Sequence, residues 1–224
     1  DPFDFSLSLY PGTYKVTVSK PTTRTESNLP NWSTEVSTTF LVNGALSNVI
    51  FDVPVPPQHT VTGRVTRNGA LPTVTSCSAG YSRATIDFIH ATDARFNTTA
   101  HVPYCSATSD PFDFTVSLYP GTYQVSVTKP ATRTESNLPS WVTIVSSSFV
   151  VNGPLSNVVL DVPVPPQHSI SGRITRNGVN PTVTRCSAGY SRATVQFRHV
   201  SDSRFTTSTS VPYCTATSDP FDFT

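Results

Sequence analysis

Apolar and polar residues alternate with period two along most of this chain, and each alternating run stops at a turn signal. HTVTGRVTR (59–67) alternates and then meets Asn-Gly, a strong turn dipeptide. ATIDFIHAT (84–92) sets Ile86, Phe88 and His90 on one face and Thr85, Asp87 and Ile89 on the other. PFDFTVSLY directs Phe112, Phe114, Val116 and Leu118 inward and Asp113, Thr115 and Ser117 outward. YPGTY follows, with Pro120 suited to the first corner of a type II turn and Gly121 to the second. TYQVSVTK then points Tyr123, Val125 and Val127 inward, and WVTIVSSSFVV and SNVVLDV follow, separated by Asn152–Gly153. No segment has a helical period. The pattern predicts an all-β chain of antiparallel sandwiches, about seven strands in each.

The pattern also repeats. Tyr10 recurs as Tyr119, Trp32 as Trp141, Cys77 as Cys186 and Cys105 as Cys214, each displaced by 109 positions, and about 70% of aligned positions are identical. Many of the differences exchange Val for Ile or Ser for Thr; on the outward face Asp87 becomes Gln196 and Ile89 becomes Arg198, while Phe88 stays Phe197. A period of 109 residues is too long for a solenoid unit and suits a whole sandwich domain. The boundary is best drawn at DVPVPPQH, where Pro54, Pro56 and Pro57, and again Pro163, Pro165 and Pro166, exclude a central strand and favour a stiff extended linker. On that frame residues 1–57 are the C-terminal half of one repeat, 58–166 a complete repeat, and 167–224 the N-terminal half of the next. Both ends then fall inside a repeat, at DPFDF. With no Met, the chain is expected to be a processed product or a window of a longer array. The two terminal halves are expected to complete one another head to tail between copies.

Composition narrows the function. The net charge is +1 and only 13% of residues are charged, so nothing steers the chain to nucleic acid or an anionic surface. No apolar run approaches the length needed for membrane insertion by a helix. The Ser- and Thr-rich faces are neutral and hydroxylated.

TGRVTRNGALP, followed by SDPFDFTVSLYPGTYQVSV, resembles the carboxypeptidase regulatory-like family. That family belongs to the transthyretin-like, or prealbumin-like, group, which includes the CnaB-type repeats of bacterial surface proteins. Its T-D-x-x-G-x-F-x-x-x-L-x-P-G-x-Y-x-V-x-V pattern is matched from Leu118 to Val127, whereas DPFDF replaces the glycine of the upstream turn. The resemblance implies an Ig-like or prealbumin-like sandwich. It is shared by spacers, adhesin stalks and carbohydrate-binding modules, so it does not choose among them.

The cysteines carry the clearest chemistry. Each repeat has two in Ser/Thr-rich context and no C-x-x-C metal spacing, which favours disulfides Cys77–Cys105 and Cys186–Cys214 and an oxidising compartment. Free buried thiols, or a Cys105–Cys186 link reaching past the linker, are the alternatives. His59, His90, His101, His168 and His199 raise the question of a hydrolytic triad, but AGYSRA is not a nucleophile elbow, and Ser210 stands where His101 would recur. Asp110 and Asp113, with Pro and Phe between them, suit turn and strand-edge roles better than calcium. CnaB-type domains can carry a Lys–Asn crosslink beside an acidic residue, and Lys129, Glu135 and Asn137 are the candidates here. Trp32 and Trp141 are candidate sugar-stacking platforms, with a core or rim role as the plainer reading. Asn31 and Asn97 lie in N-x-S/T sequons that do not recur at Ser140 and Thr206.

Taken together, these features point to a structural segment of an extracellular or cell-surface fibre, without enzymatic activity, cofactor or metal. Its expected partners are copies of itself, with no nucleic acid and no membrane. The alternative is an adhesin array that binds surface glycans by multivalency.

Overall fold

The structure is a computed structural model that describes residues 3–25, 28–77, 80–130, 136–186, 189–217 and 219–224. Contacts divide the chain into two compact units, residues 1–163 and 164–224. Among the described residues all regular structure is strand, apart from one 3₁₀ turn.

The first unit begins with an antiparallel hairpin, β1 (Gly12–Val18) and β2 (Thr34–Val42). The complete repeat follows as β3 (His59–Arg67), β4 (Ala84–His90), the 3₁₀ turn (Ala94–Phe96), β5 (Thr98–Val102), β6 (Asp113–Leu118), β7 (Gly121–Thr128), β8 (Thr143–Val151) and β9 (Leu155–Val162). These seven strands form two sheets, ordered β6-β3-β9 and β5-β4-β7-β8. Alternation dictates what lies inside: Val61 and Val65 of β3, Phe114 and Leu118 of β6, Ile86 and Phe88 of β4, and Val125 and Val127 of β7 are all buried. Phe88 joins the layers, with ring centroids 6.3 Å from Phe114, 6.3 Å from Tyr123 and 6.0 Å from Phe149. The fold is an all-β sandwich. Within its otherwise antiparallel pairing, β9 runs parallel to β3. β8 and β9 lie in different sheets, so the chain arches between layers at residues 152–154 and reaches the free edge of β3 in the same direction.

Those arches explain where turn chemistry departs from the sequence pattern. Asn68 and Gly69 adopt φ of 50° and 77°, the paired left-handed residues of a two-residue turn, closed by reciprocal bonds between Arg67 and Ala70. Asp161 stabilises that turn, its Oδ1 accepting from the Gly69 N–H and the Thr66 hydroxyl, each at 2.7 Å. Asn152–Gly153 has no left-handed residue, because the strands it joins do not pair. Gly121 likewise does not occupy a type II corner. Its φ is 150° and it already pairs with Val151 at the start of β7, since β6 and β7 belong to different sheets. Glycine is still required there: a Cβ would collide with the His90 imidazole on neighbouring β4. A second close approach falls at Gly63, where a Cβ would lie 2.8 Å from Phe114 Cζ and would also meet the Val158 carbonyl. Gly63 faces Phe114 in register and lies beside the irregularity in the β3–β9 pairing, near left-handed Asn157.

The Tyr-Pro-Gly-Thr-Tyr arch is held from within. The Tyr123 ring is buried in the core, and its hydroxyl donates to the Tyr119 carbonyl at 2.9 Å. Tyr14 makes the same bond to Tyr10 at 2.8 Å. This is the logic of the tyrosine corner, in which one side chain fixes the path between layers. Tyr123→Phe keeps the packing and loses the bond. It is expected to cost about 1 kcal/mol, read as a lower urea midpoint at constant slope. An unchanged midpoint would contradict the role assigned to the hydroxyl.

The β1–β2 hairpin has the sequence of β7 and β8, and the segment before it has that of β6. Its surroundings differ. Phe112, Phe114 and Leu118 are at most 3% exposed, whereas Phe3, Phe5 and Leu9 are 75%, 56% and 41% exposed.

The second unit contains β10 (Gly172–Arg173), β11 (Ala193–Arg198), β12 (Thr206–Val211) and β13 (Asp222–Phe223). β10 pairs with β13 and β11 with β12 in the registers of β3–β6 and β4–β5. Phe223 lies over Gly172 as Phe114 lies over Gly63. The β5 and β12 strands have little apolar signal: TTAHV and TTSTSV are short and hydroxyl-rich, and they pair as edge strands beside a better-patterned neighbour.

Candidate functional site

Chemistry concentrates in the irregular segments at one end of the β4–β5 hairpin. Cys77, in the loop before β4, is bonded to Cys105, just after β5, with Cα atoms 5.4 Å apart; Cys186–Cys214 repeats the link at 5.3 Å. No described cysteine is free. Arg83, between the two cysteines in sequence, is only 6% exposed. Its guanidinium donates to three carbonyls: Nε to Pro103 at 2.7 Å, Nη1 to Asp110 at 2.9 Å and Nη2 to Pro111 at 2.6 Å. The same group lies 4.3 Å from the Phe112 ring centroid. Burial pulls its pKa down from the ordinary guanidinium value, opposed by the charges of Asp110 and Asp113. Arg192 makes the same three bonds, to Pro212, Asp219 and Pro220.

The nearby carboxylates serve the same framework. Asp110 accepts from the backbone N–H groups of Ser106 and Ala107 and from the Ser106 hydroxyl, and these bonds lower its pKa. Asp113 pairs with Arg64 across β6 and β3, Oδ1 to Nε at 2.6 Å. Neither arrangement gathers the six or more oxygens of a calcium site. Among the described residues no group of three or more His, Cys, Asp or Glu is arranged to hold a metal.

His90 has a structural role. His90 Nδ1 accepts from the Asp93 N–H at 3.0 Å and the Thr92 N–H at 3.3 Å, leaving Nε2 to donate to the Pro120 carbonyl at 3.4 Å. His59 and His101 lie on β3 and β5, and His168 lies outside any strand. Lys129 Nζ donates to the Ser136 carbonyl at 3.0 Å, and the Asn137 carboxamide accepts from the Thr73 N–H at 3.0 Å, so each is engaged elsewhere. Glu135 lies outside the described residues.

A second cluster is aromatic. Trp32, just ahead of β2, is half-buried and meets Phe96 and Tyr119 edge-on, with centroids 5.6 and 5.7 Å apart and interplanar angles of 76° and 81°. The Arg95 guanidinium lies 5.8 Å from the Trp32 ring centroid. Arg95 is itself held by a forked pair to Asp93, Nε to Oδ1 at 2.9 Å and Nη2 to Oδ2 at 2.6 Å. That pairing, with the turn N–H bond, holds the Asp93 pKa down at about 2. Trp32 thus packs against two rings and a cation, in a rim position. Trp141 is half-buried as well.

Asn31 is exposed beside Trp32. Asn97 is exposed too, and its Oδ1 accepts from the His90 N–H at 2.8 Å. Pro54, Pro56 and Pro57, and Pro163, Pro165 and Pro166, all lie outside the strands, and the two compact units divide between Pro163 and Val164. Sequence reasoning missed Arg83 and the Phe96–Tyr119 cluster. A signal for Arg83 was present, since CSAGYSRAT at 77–85 recurs unchanged at 186–194.

No family model matches this chain. No curated protein matches it. Among solved structures, a DUF3823 family protein from Parabacteroides merdae is similar over 48% of this chain and 47% of its own length, with 17% identity and a TM-score of 0.33. The chain thus spans about half the length of that protein, and so distant a likeness carries no argument about function. Two disulfides fit a non-cytoplasmic, oxidising compartment. Among the described residues no helix is long and apolar enough to cross a membrane.

Proposed function

We propose that this chain is a structural segment of an extracellular fibre or stalk, built from tandem disulfide-stapled sandwiches of the carboxypeptidase regulatory-like or CnaB-like kind. The observation that carries the reading is the repeat itself: a complete sandwich at 58–166, preceded and followed in sequence by parts of the same repeat with proline-rich segments between them. Arg83 and His90 are spent on backbone carbonyls and N–H groups, Asp110 on the Ser106–Ala107 turn, and Asp113 on its ion pair with Arg64. That is how a scaffold uses polar groups. Neutral, hydroxylated outer faces suit a solvated rod whose partners are further copies of itself.

The test is electron microscopy of this protein and of arrays extended by whole 109-residue repeats. A strand layer of ~26 Å and a polyproline linker of ~15 Å give a contour that grows by about 40 Å per added repeat. A contour that fails to grow, or repeats folded back side by side, would overturn the proposal. So would repeat-dependent retention on surface glycans by globular, non-fibrous material, which is the behaviour of an adhesin array.

A further inference from the structure

We infer that Trp32 is the plug of an aromatic joint that fixes one repeat against the next. The inference rests on the tandem-repeat reading above and adds what sets the angle between neighbours. Trp32 belongs by sequence to the repeat that ends in the 52–58 linker, whereas Phe96, Tyr119 and Arg95 belong to the repeat that begins after it. The indole therefore crosses the boundary and packs in T-shaped contact with two rings of the following repeat.

The socket is built from the following repeat's own framework. Phe96 ends the 3₁₀ turn, whose N-terminal cap is Asp93 and whose C-terminal cap is Asn97; the Asn97 side chain is tied back to the His90 N–H. Tyr119 sits at the head of the arch that Tyr123 closes. Phe96 and Tyr119 contact each other, with centroids 4.5 Å apart, and His90 braces Phe96 edge-on at 5.3 Å. Arg95, held flat by Asp93, covers both Trp32 and Phe96. Every wall of the socket is thus positioned by bonds that do not involve Trp32. That preorganisation lets one inserted side chain restrict a whole domain. A proline linker limits bending but leaves rotation about its axis free; an off-axis contact removes that freedom.

The residue set recurs along the sequence. Trp141, Asp202, Arg204 and Phe205 stand 109 positions after Trp32, Asp93, Arg95 and Phe96. In residues 164–224, taken by themselves, Arg204 makes the same forked pair with Asp202, Nε to Oδ1 at 2.9 Å and Nη2 to Oδ2 at 2.6 Å, and lies 5.5 Å from the Phe205 ring centroid. The socket geometry around the arginine is therefore a property of the repeat.

The chain has two tryptophans, so Trp141→Phe leaves Trp32 as its sole indole reporter. In that background Trp32 is expected to be shielded from acrylamide. Phe96→Ala or Arg95→Ala should raise its quenching constant by about threefold as the edge contacts and the covering cation are lost. Both variants should retain their disulfides and their unfolding transition. Arg95 is exposed and outside the core, so its variant keeps the test decisive if Phe96→Ala fails to fold. A parent Trp32 already as accessible as free tryptophan amide, or no rise in the folded Arg95→Ala variant, would overturn the joint. Fluorescence reports the contact and micrographs report the fibre. A seated Trp32 in a chain that forms no rod would defeat the fibre reading alone.

Discussion

Arg83→Ala is expected to cost the complete repeat about 3 kcal/mol, because it removes three charge-assisted, part-buried bonds to backbone carbonyls. The segment from 103 to 112 explains why an arginine is there. Pro103 and Pro111 cannot donate to a ladder, and residues 103–112 belong to no strand. The carbonyls of Pro103, Asp110 and Pro111 converge on one point, and a planar fork with five donors meets all three. Each bond is worth about 1.5–3 kcal/mol in isolation, but the three act as a unit and do not add. Burial offsets part of the gain by disfavouring the charge, which lowers the Arg83 pKa. The group nevertheless stays charged at physiological pH. Arg83→Lys is expected to recover less than half of the loss, since one ammonium cannot reach three divergent acceptors. Urea unfolding measures both variants. A loss below ~1 kcal/mol for the alanine variant would show that water replaces the guanidinium at no cost.

Arg83 also marks the limit of what the sequence discloses. The inward residues of β3, β4, β6 and β7 were readable because a half-buried strand imposes period two, and Phe88, Phe114 and Val125 obey it. The disulfide partners were readable because each repeat offers two cysteines in a context unsuited to metal. Pairing between sheets was not readable. Tyr-Pro-Gly and Asn-Gly both signal a turn, but the dipeptide cannot say whether the next strand returns to the same sheet or crosses to the other. Gly121 shows the difference, kept for the His90 ring beside it rather than for a type II corner. Arg83 and the Trp32 socket were hidden for a related reason. Their partners are carbonyls and rings 20 to 87 residues away, and such contacts leave no local period.

Removing the Cys77–Cys105 bond, by replacing both cysteines with alanine, is expected to cost about 3–4 kcal/mol, the chain-entropy value for a loop of this size. The separation is 28 residues, and the loop encloses β4 and β5, including the inner residues Ile86 and Phe88. The bond ties together two stretches that hydrogen-bonded ladders do not hold, the loop before β4 and the segment after β5. The Arg83 fork spans the same junction from the first residue ahead of β4. Two crosslinks over one junction should not act independently. Once either is lost, the 103–112 segment is freer to leave, and the other has less to hold. The double variant is therefore expected to lose at least ~0.5 kcal/mol less than the sum of the separate losses. A double-mutant cycle in urea supplies the number, and strict additivity would show that the two crosslinks hold different parts of the fold. Proteolysis locates the effect. Reduced protein should be cut first in residues 68–83 or 103–112, where few ladder bonds resist local opening, while the β4–β7 pairing stays intact. Initial cleavage within β4 or β7 would mean that reduction loosens the sandwich core rather than its junction.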